Sequence, residues 1–376
     1  MWYNTCVKIH SIQQVKNLAN KNVLVRVDFN VPLKAGRVLD NYKIKKSMAT
    51  IKFLMEKRAK IILVSHLGRP ASPYGGQGGP NGVDKKLSLK PVAAELGKFL
   101  QKKIRLLDIK DLKKTKIQIY KLFPSAVVML ENVRFVKGEE ECSEQFSKEL
   151  AGLADIFVLD GFAVAHRRAA SVTGVAKHLP SYAGLLLEEE IDGLSCVLKS
   201  PRKPFVVVLG GIKTETKIPV LKNLLKKANH ILVGGGILNT YLWAKGYHVG
   251  GSFVDKNLKK EVLKYCSKRS VILPVDVIVG TKEGKLAHAV DIKNLNLQNK
   301  SQSIFDIGPK TIKLFSQYIK KAQTLVWNGA VGYFEQHPYE YGTYSIAHLI
   351  AARAKGKAFG VTGGGETIEI LKKLRL

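Results

Sequence analysis

FVVVLGG, residues 205–211, is the stretch on which the fold turns. A short run of bulky apolar residues closed by a glycine pair is how a strand buried on both faces reads, with a tight turn behind it. The reading recurs downstream in ILVGGG (231–236), VILPVD (271–276), TLVWNG (324–329) and AFGVTGGG (358–365). Upstream it recurs in VLVRVD (23–28), IILVS (61–65), AVVML (126–130) and IFVLD (156–160). Longer segments of helical periodicity separate the runs, so the chain is expected to be α/β, with two doubly wound, parallel-sheet, Rossmann-like domains.

Between the two series lies SYAGLLLEEEIDGLSCVLKSPRKP, with Leu185 to Leu187, Ile191, Leu194 and Val197 at helical spacing and an exit through Pro201 and Pro204. It predicts an interdomain helix and hinge over 184–199, between an N-terminal domain at 1–183 and a C-terminal domain at 200–376. A length of 376 residues, longer than one typical core supports, fits two domains. ASPYGGQGGPNG (71–82) is too rich in glycine and proline for a helix or strand and reads as a loop.

Sixty-one Lys and Arg against 30 Asp and Glu give a net charge of +31, which predicts salt-sensitive attraction to polyanions. The basic residues are scattered, without the repeated arginine and aromatic pattern that tracks a single strand, so no specific nucleic acid is expected. Cys6, Cys142, Cys196 and Cys266 have no metal-ligand spacing and read as reduced thiols. MWYNTCVKIHS lacks an apolar signal core, and no apolar run approaches the ~20 residues that span a bilayer. The expectation is a soluble, cytoplasmic protein without a membrane partner.

In open α/β sheets ligands bind beyond the carboxyl ends of the strands. In the first half these ends carry Asp28 and Asn30, His66 and Arg69, Arg134, then His166 and Arg167. Arginine forks bind phosphate or carboxylate oxygens in pairs, so their shared position predicts an anion site. In the second half the ends carry Gly210, Gly211 and Lys213, Gly234 to Gly236, Asn328 and Gly329, and Gly363 to Gly365. Glycine lets backbone amides approach a phosphate and a following helix adds its positive end, which favours a nucleotide. Neither GxxxxGK[ST] nor a strand-linked GxGxxG is present.

RVDFNVPL, SHLGRP, SLKPVA, LENVRF, DGFAVAHR, LGGIKTETK, ILPVDV, FDIGPKT, VWNGAVGYFE and GGGET stand in this order along the chain. In these blocks the sequence resembles the phosphoglycerate kinases. The resemblance implies reversible phosphoryl transfer from 1,3-bisphosphoglycerate to ADP, giving 3-phosphoglycerate and ATP, by a monomer that needs Mg²⁺. It implies that Asp28 and Asn30 hold the glycerate end, and that His66, Arg69, Arg134 and Arg167 grip the phosphate that is not transferred. Lys213 would neutralise the phosphoryl group in flight, while Lys217 and Asn328 contact nucleotide phosphates and Glu335 meets the ribose. Gly211, Gly235 and Gly236 would line the nucleotide site. Gly363, Gly364 and Gly365 would offer amides to the transferred phosphate, with Glu366 at the metal and Thr367 beside the nucleotide.

The sequence also departs from the family pattern. Lys43 in DNYKIKK stands where the family has its catalytic arginine and would bind both the acceptor and the moving phosphate, without the planar fork. Glu366 stands for an aspartate, Ile212 for the alanine of GGAK, Ala330 for the proline of NGP, and Arg168 adds a charge beside the anion site. The chain stops nine residues after Thr367, ahead of a further glycine-rich block and tail in the family. Two alternatives stand beside the active kinase. One is a relative that binds ligands but turns over poorly, favoured by Lys43, Glu366 and the shorter end. The other is a basic polyanion-binding scaffold, favoured by the charge alone.

Overall fold

The computed structural model describes residues 9–70 and 85–376. The N-terminal run with Cys6, the glycine- and proline-rich stretch 71–82 and the side chain of Cys196 fall outside the described residues. Cys142 and Cys266 are free thiols. The chain divides into two compact units between Asp192 and Gly193, inside the helix Leu185–Lys199.

The first unit is built on a six-stranded parallel sheet. Its strands run in the order Arg105–Leu107, Val127–Leu130, Lys60–Val64, Asn22–Arg26, Ile156–Leu159, Ser181–Ala183. Asn22–Arg26 is central, with Val23 opposite Ile61 on one side and Ile156 on the other. Successive side chains of a strand point to opposite faces, and here both faces are dry. Val23, Val25, Ile61, Leu63 and Val158 pack into one apolar layer, whereas Leu24, Ile62, Val64, Val128 and Phe157 pack into the other. The uninterrupted apolar runs follow from that double burial.

The second unit repeats the plan with five parallel strands in the order Val271–Ile272, His230–Val233, Phe205–Leu209, Thr324–Asn328, Phe359–Gly363. Phe205, Val207 and Leu209 face one core, and Val206 and Val208 face the other, with Leu325 and Trp327. VILPVD differs from the single strand expected. Pro274 has no N–H to donate, so the parallel strand ends at Ile272. The chain then starts a new strand, Asp276–Gly280, in a separate antiparallel sheet between His288–Asp291 and Ser303–Ile307. Arg105–Leu107 and Ser181–Ala183 are three-residue edge strands too short to show in the apolar pattern. Among the described residues no helix is long and apolar enough to cross a membrane.

Each doubly covered strand makes its unit sensitive to core truncation. Leu63 is fully buried, so Leu63→Ala is expected to cost about 3 kcal/mol in urea denaturation. Leu39, 62% exposed, should change stability by less than about 0.5 kcal/mol as Leu39→Ala.

Candidate functional site

The central strand of the first unit ends on Arg26, a residue that sequence reading passed over inside VLVRVD. Its guanidinium is buried. Nε donates to Ser171 Oγ at 2.9 Å and Nη1 to the carbonyl of Val27 at 2.6 Å. Ser171 in turn donates from Oγ and N to the two oxygens of buried Glu139, at 2.6 and 2.9 Å. Burial lowers the Arg26 pKa to about 10, with Glu139 and Asp28 opposing the shift, so the group stays charged at neutral pH. An arginine in an otherwise apolar strand is the signal that could have found it, because an unpaired charge is too costly to bury there.

Arg26 Nη2 lies 3.2 Å from His66 Nδ1. Burial first, then the neighbouring Arg26, Arg134 and Arg167, push the His66 pKa down to about 3 against a weaker pull from Asp28. The turn after His66 is held from two sides. Gly68 N donates to Asn30 Oδ1 at 2.9 Å, and Arg134 Nη1 donates to the Gly68 carbonyl. Arg134 Nε pairs with Glu140 at 3.0 Å. Burial lowers the Arg134 pKa, and repulsion from Arg167 and Arg69 adds to that against Glu140. Arg167 keeps a buried Nε with no partner. Lys43 Nζ donates to Asp28 at 2.7 Å, which anchors it beside the same strand end. Arg69, His166 and Arg168 are exposed. The first unit thus gathers Arg26, His66, Arg69, Arg134 and Arg167 at neighbouring strand ends. A tetrahedral anion would answer their mutual repulsion and the unmatched donor.

In the second unit the glycine turns interlock. Gly211 takes φ +89°, a left-handed conformation that a Cβ would disfavour. Its N–H donates to the Ala330 carbonyl at 2.6 Å and its own carbonyl accepts from Gly236 N at 2.9 Å. Gly235 N donates to the Val331 carbonyl at 3.1 Å. The strand end at Asn328 is fixed by buried Trp327, whose Nε1 donates to the Gly329 carbonyl at 2.9 Å. Lys217 Nζ donates to Asn328 Oδ1, and burial lowers its pKa while Glu366 opposes the shift. Lys213, exposed, occupies the N-cap position of the helix Thr214–Leu224.

Gly363 ends the edge strand, Gly364 takes φ +94°, and Gly365 opens the helix Gly365–Lys373. Buried Thr367 donates from Oγ1 to the carbonyls of Gly363 and Gly364, which holds that turn closed. Glu366 reaches back over the first turn: a Cβ on Gly211 would meet its Oε2 at 3.2 Å and Lys217 Cε at 3.3 Å. Burial raises the Glu335 pKa, and the nearby Glu366 and Glu369 add to it. Three helix N-termini, at Thr214, Gly235 and Gly365, therefore open behind strand-end turns, with Lys213 capping the first and Glu366 in the first turn of the third. Such a surface suits a polyphosphate with an attendant cation.

The phosphoglycerate kinase family model matches residues 12–376. A phosphoglycerate kinase of Dictyoglomus turgidum is 41% identical over 366 residues, covering 96% of this chain and 89% of its own length. That of Coxiella burnetii is 40% identical over 367 residues, covering 96% of this chain and 89% of its own. The solved structure of phosphoglycerate kinase from Coxiella burnetii superposes with a TM-score of 0.82 at 38% identity, covering 98% of this chain and 91% of that one. The crystal structure from Pyrococcus horikoshii gives 0.80 at 29% identity, covering 97% and 91%. The strand-end chemistry and these likenesses agree: the chain belongs to the phosphoglycerate kinase family.

Proposed function

We infer that the chain catalyses reversible phosphoryl transfer between 1,3-bisphosphoglycerate and ADP, with phosphoglycerate bound at the basic strand ends and adenine nucleotide at the glycine turns. The observation that carries the assignment is the cationic cluster at neighbouring strand ends, with Arg167 Nε buried and unmatched. In the direction of ATP use, a carboxylate oxygen of 3-phosphoglycerate attacks the γ-phosphorus and the bond to the ADP oxygen breaks. A carboxylate needs no general base, so positioning and charge are the whole task.

His66 serves as a neutral donor in this reading. Its Nδ1 faces Arg26 Nη2, which can only donate, so the remaining ring proton sits on Nε2 and is free for a phosphate oxygen. Arg69, Arg134 and Arg167 supply the charge around it. Asp28 and Asn30 orient the glycerate end, and Lys43, already tethered by Asp28, reaches the acceptor carboxylate. Lys213, at a helix N-terminus without a side-chain cap bond, meets the phosphoryl group in transfer. Lys217 and Asn328 hold phosphate oxygens, and Glu335 accepts from the ribose.

The donor set fits Mg²⁺. Among the described residues no group of three or more His, Cys, Asp or Glu is disposed to hold a metal. Mg²⁺ with nucleotide characteristically takes one or two carboxylates and completes its shell from phosphates and water. Glu366, over the Gly211 turn and within range of Lys217 and Glu335, is the carboxylate to hold it. Bound Mg²⁺ supplies neutralisation of phosphate charge. The helix Leu185–Lys199 spans the division between the compact units, and a Cβ placed on Gly193 within it would meet nothing within 4 Å, which supports a hinge there. A cytoplasmic monomer, as the family resemblance implies, completes the reading.

The function is tested by ATP consumption that depends on 3-phosphoglycerate, coupled to reduction of the acyl phosphate. Robust turnover is expected, and ligand binding without turnover would sink the assignment as a working kinase. Lys43→Arg should raise kcat about fivefold, the worth of one added hydrogen bond of ~1 kcal/mol. An unchanged kcat would mean that the fork is not missed. His66 should stay neutral in the folded protein, so its C2 proton resonance should hold constant from about pH 8 to 5. The folded pKa lies below the unfolded value of 6.5, so the unfolded chain takes up the proton first. This contribution to stability is complete above pH 6.5 and is lost progressively as the pH falls toward about 3.

A further inference from the structure

The helix Leu112–Tyr120 packs on the first unit through Leu112, Thr115 and Ile119. Its outward face mixes apolar side chains with lysines. The two most exposed large apolar side chains among the described residues, Tyr120 (82%) and Phe123 (80%), stand three positions apart. Ile117 (60%) lies one turn before Tyr120, on the same outward face. Lys113, Lys114 and Lys121 flank them, exposed and without an ion pair among the described residues. No acidic residue occurs between Asp111, which caps the helix, and Glu131.

The turn that projects Phe123 is rigid. Leu122 N donates to the Ile119 carbonyl at 3.0 Å and Ala126 N to the Phe123 carbonyl at 3.1 Å. Ser125 is fastened by its N–H to the Ala59 carbonyl at 3.0 Å and by Oγ to the Met55 carbonyl at 2.7 Å. The apolar tips are therefore held out in water by a fixed scaffold, which mere looseness of a loop does not explain.

We propose that this face, Ile117, Tyr120 and Phe123 ringed by lysines, docks the protein on an anionic phospholipid surface. A short helix with apolar and aromatic tips among lysines lies at the headgroup boundary, where the cations meet lipid phosphates and the tips enter the acyl edge. The composition separates lipid from nucleic acid. Ile117 has no π-face to stack on a base, and no arginine stands between Arg105 and Arg134 to fork a phosphate.

The full chain is mixed with vesicles of phosphatidylcholine alone, or of phosphatidylcholine and phosphatidylglycerol in equal parts, and sedimented. Binding is expected on the anionic vesicles only. Ile117→Ser, Tyr120→Ser and Phe123→Ser combined should weaken it by about tenfold or more at unchanged net charge. Lys113→Glu with Lys114→Glu should weaken it by about fivefold per site or more. Lys320→Glu with Lys321→Glu, exposed on another helix, gives the same charge change elsewhere and should have little effect. Kinase turnover and thermal unfolding should be unaltered in all three variants. Equal loss in the two charge variants, or full binding by the triple serine variant, would show only diffuse attraction to the basic surface and overturn the proposal. So would failure to bind anionic vesicles, or binding of a single-stranded oligonucleotide through this face in their place.

Discussion

The basic strand ends of the first unit depend on a guanidinium placed where the fold should not tolerate one. Arg26 is buried at the end of the central strand, and its charge survives there because the carbonyl of Val27, Ser171 and, through Ser171, Glu139 replace water. Removing one member of such a buried set characteristically costs ~3–5 kcal/mol, because the partner is left charged and unpaired. The same guanidinium turns toward His66 and fixes which ring nitrogen carries the proton. One buried cation thereby stabilises a segment far along the chain, near Ser171, and sets the hydrogen-bonding state of a histidine at the neighbouring strand end.

The strand ends of the two units carry different chemistry. In the first unit full charges on side chains repel one another, held by a few carboxylates that do not match them in number at the strand ends: Asp28 on Lys43 and Glu140 on Arg134. In the second unit the strand ends carry helix starts behind left-handed turns at Gly211 and Gly364, with Lys213 and Lys217 beside them. The side-chain cluster suits a compact ligand with a phosphate and a carboxylate. The amide turns suit a longer polyphosphate, whose charge is shared with lysine and a metal.

The departures from the family pattern fall into this picture unevenly. Ala330 is buried and its carbonyl accepts from Gly211 N, a bond that a proline at this position would equally allow. Ile212 is exposed beside Lys213, with its bulk directed away from the core. Lys43 keeps an ion pair with Asp28 that holds its position but occupies part of its donor capacity.

Apolar runs such as FVVVLGG and IILVS by themselves determined the α/β class, because strands covered on both faces must be apolar at every position, and local composition records that. The glycine turns and the basic strand ends were legible as positions for a similar reason, since both stand where the apolar runs stop. The Lys217–Asn328 contact, the Arg26–Ser171–Glu139 chain and the Arg134 hold on Gly68 were decided only by tertiary structure. Each joins residues distant in sequence, so that even where one member stood out, as Arg26 does in its apolar run, its partner did not, and desolvation, which gives such contacts their force, exists only once the chain has closed around them. The break at Pro274 lies between the two cases: the proline was visible, but the antiparallel partners that take up Asp276–Gly280 are set by the sheet's other strands.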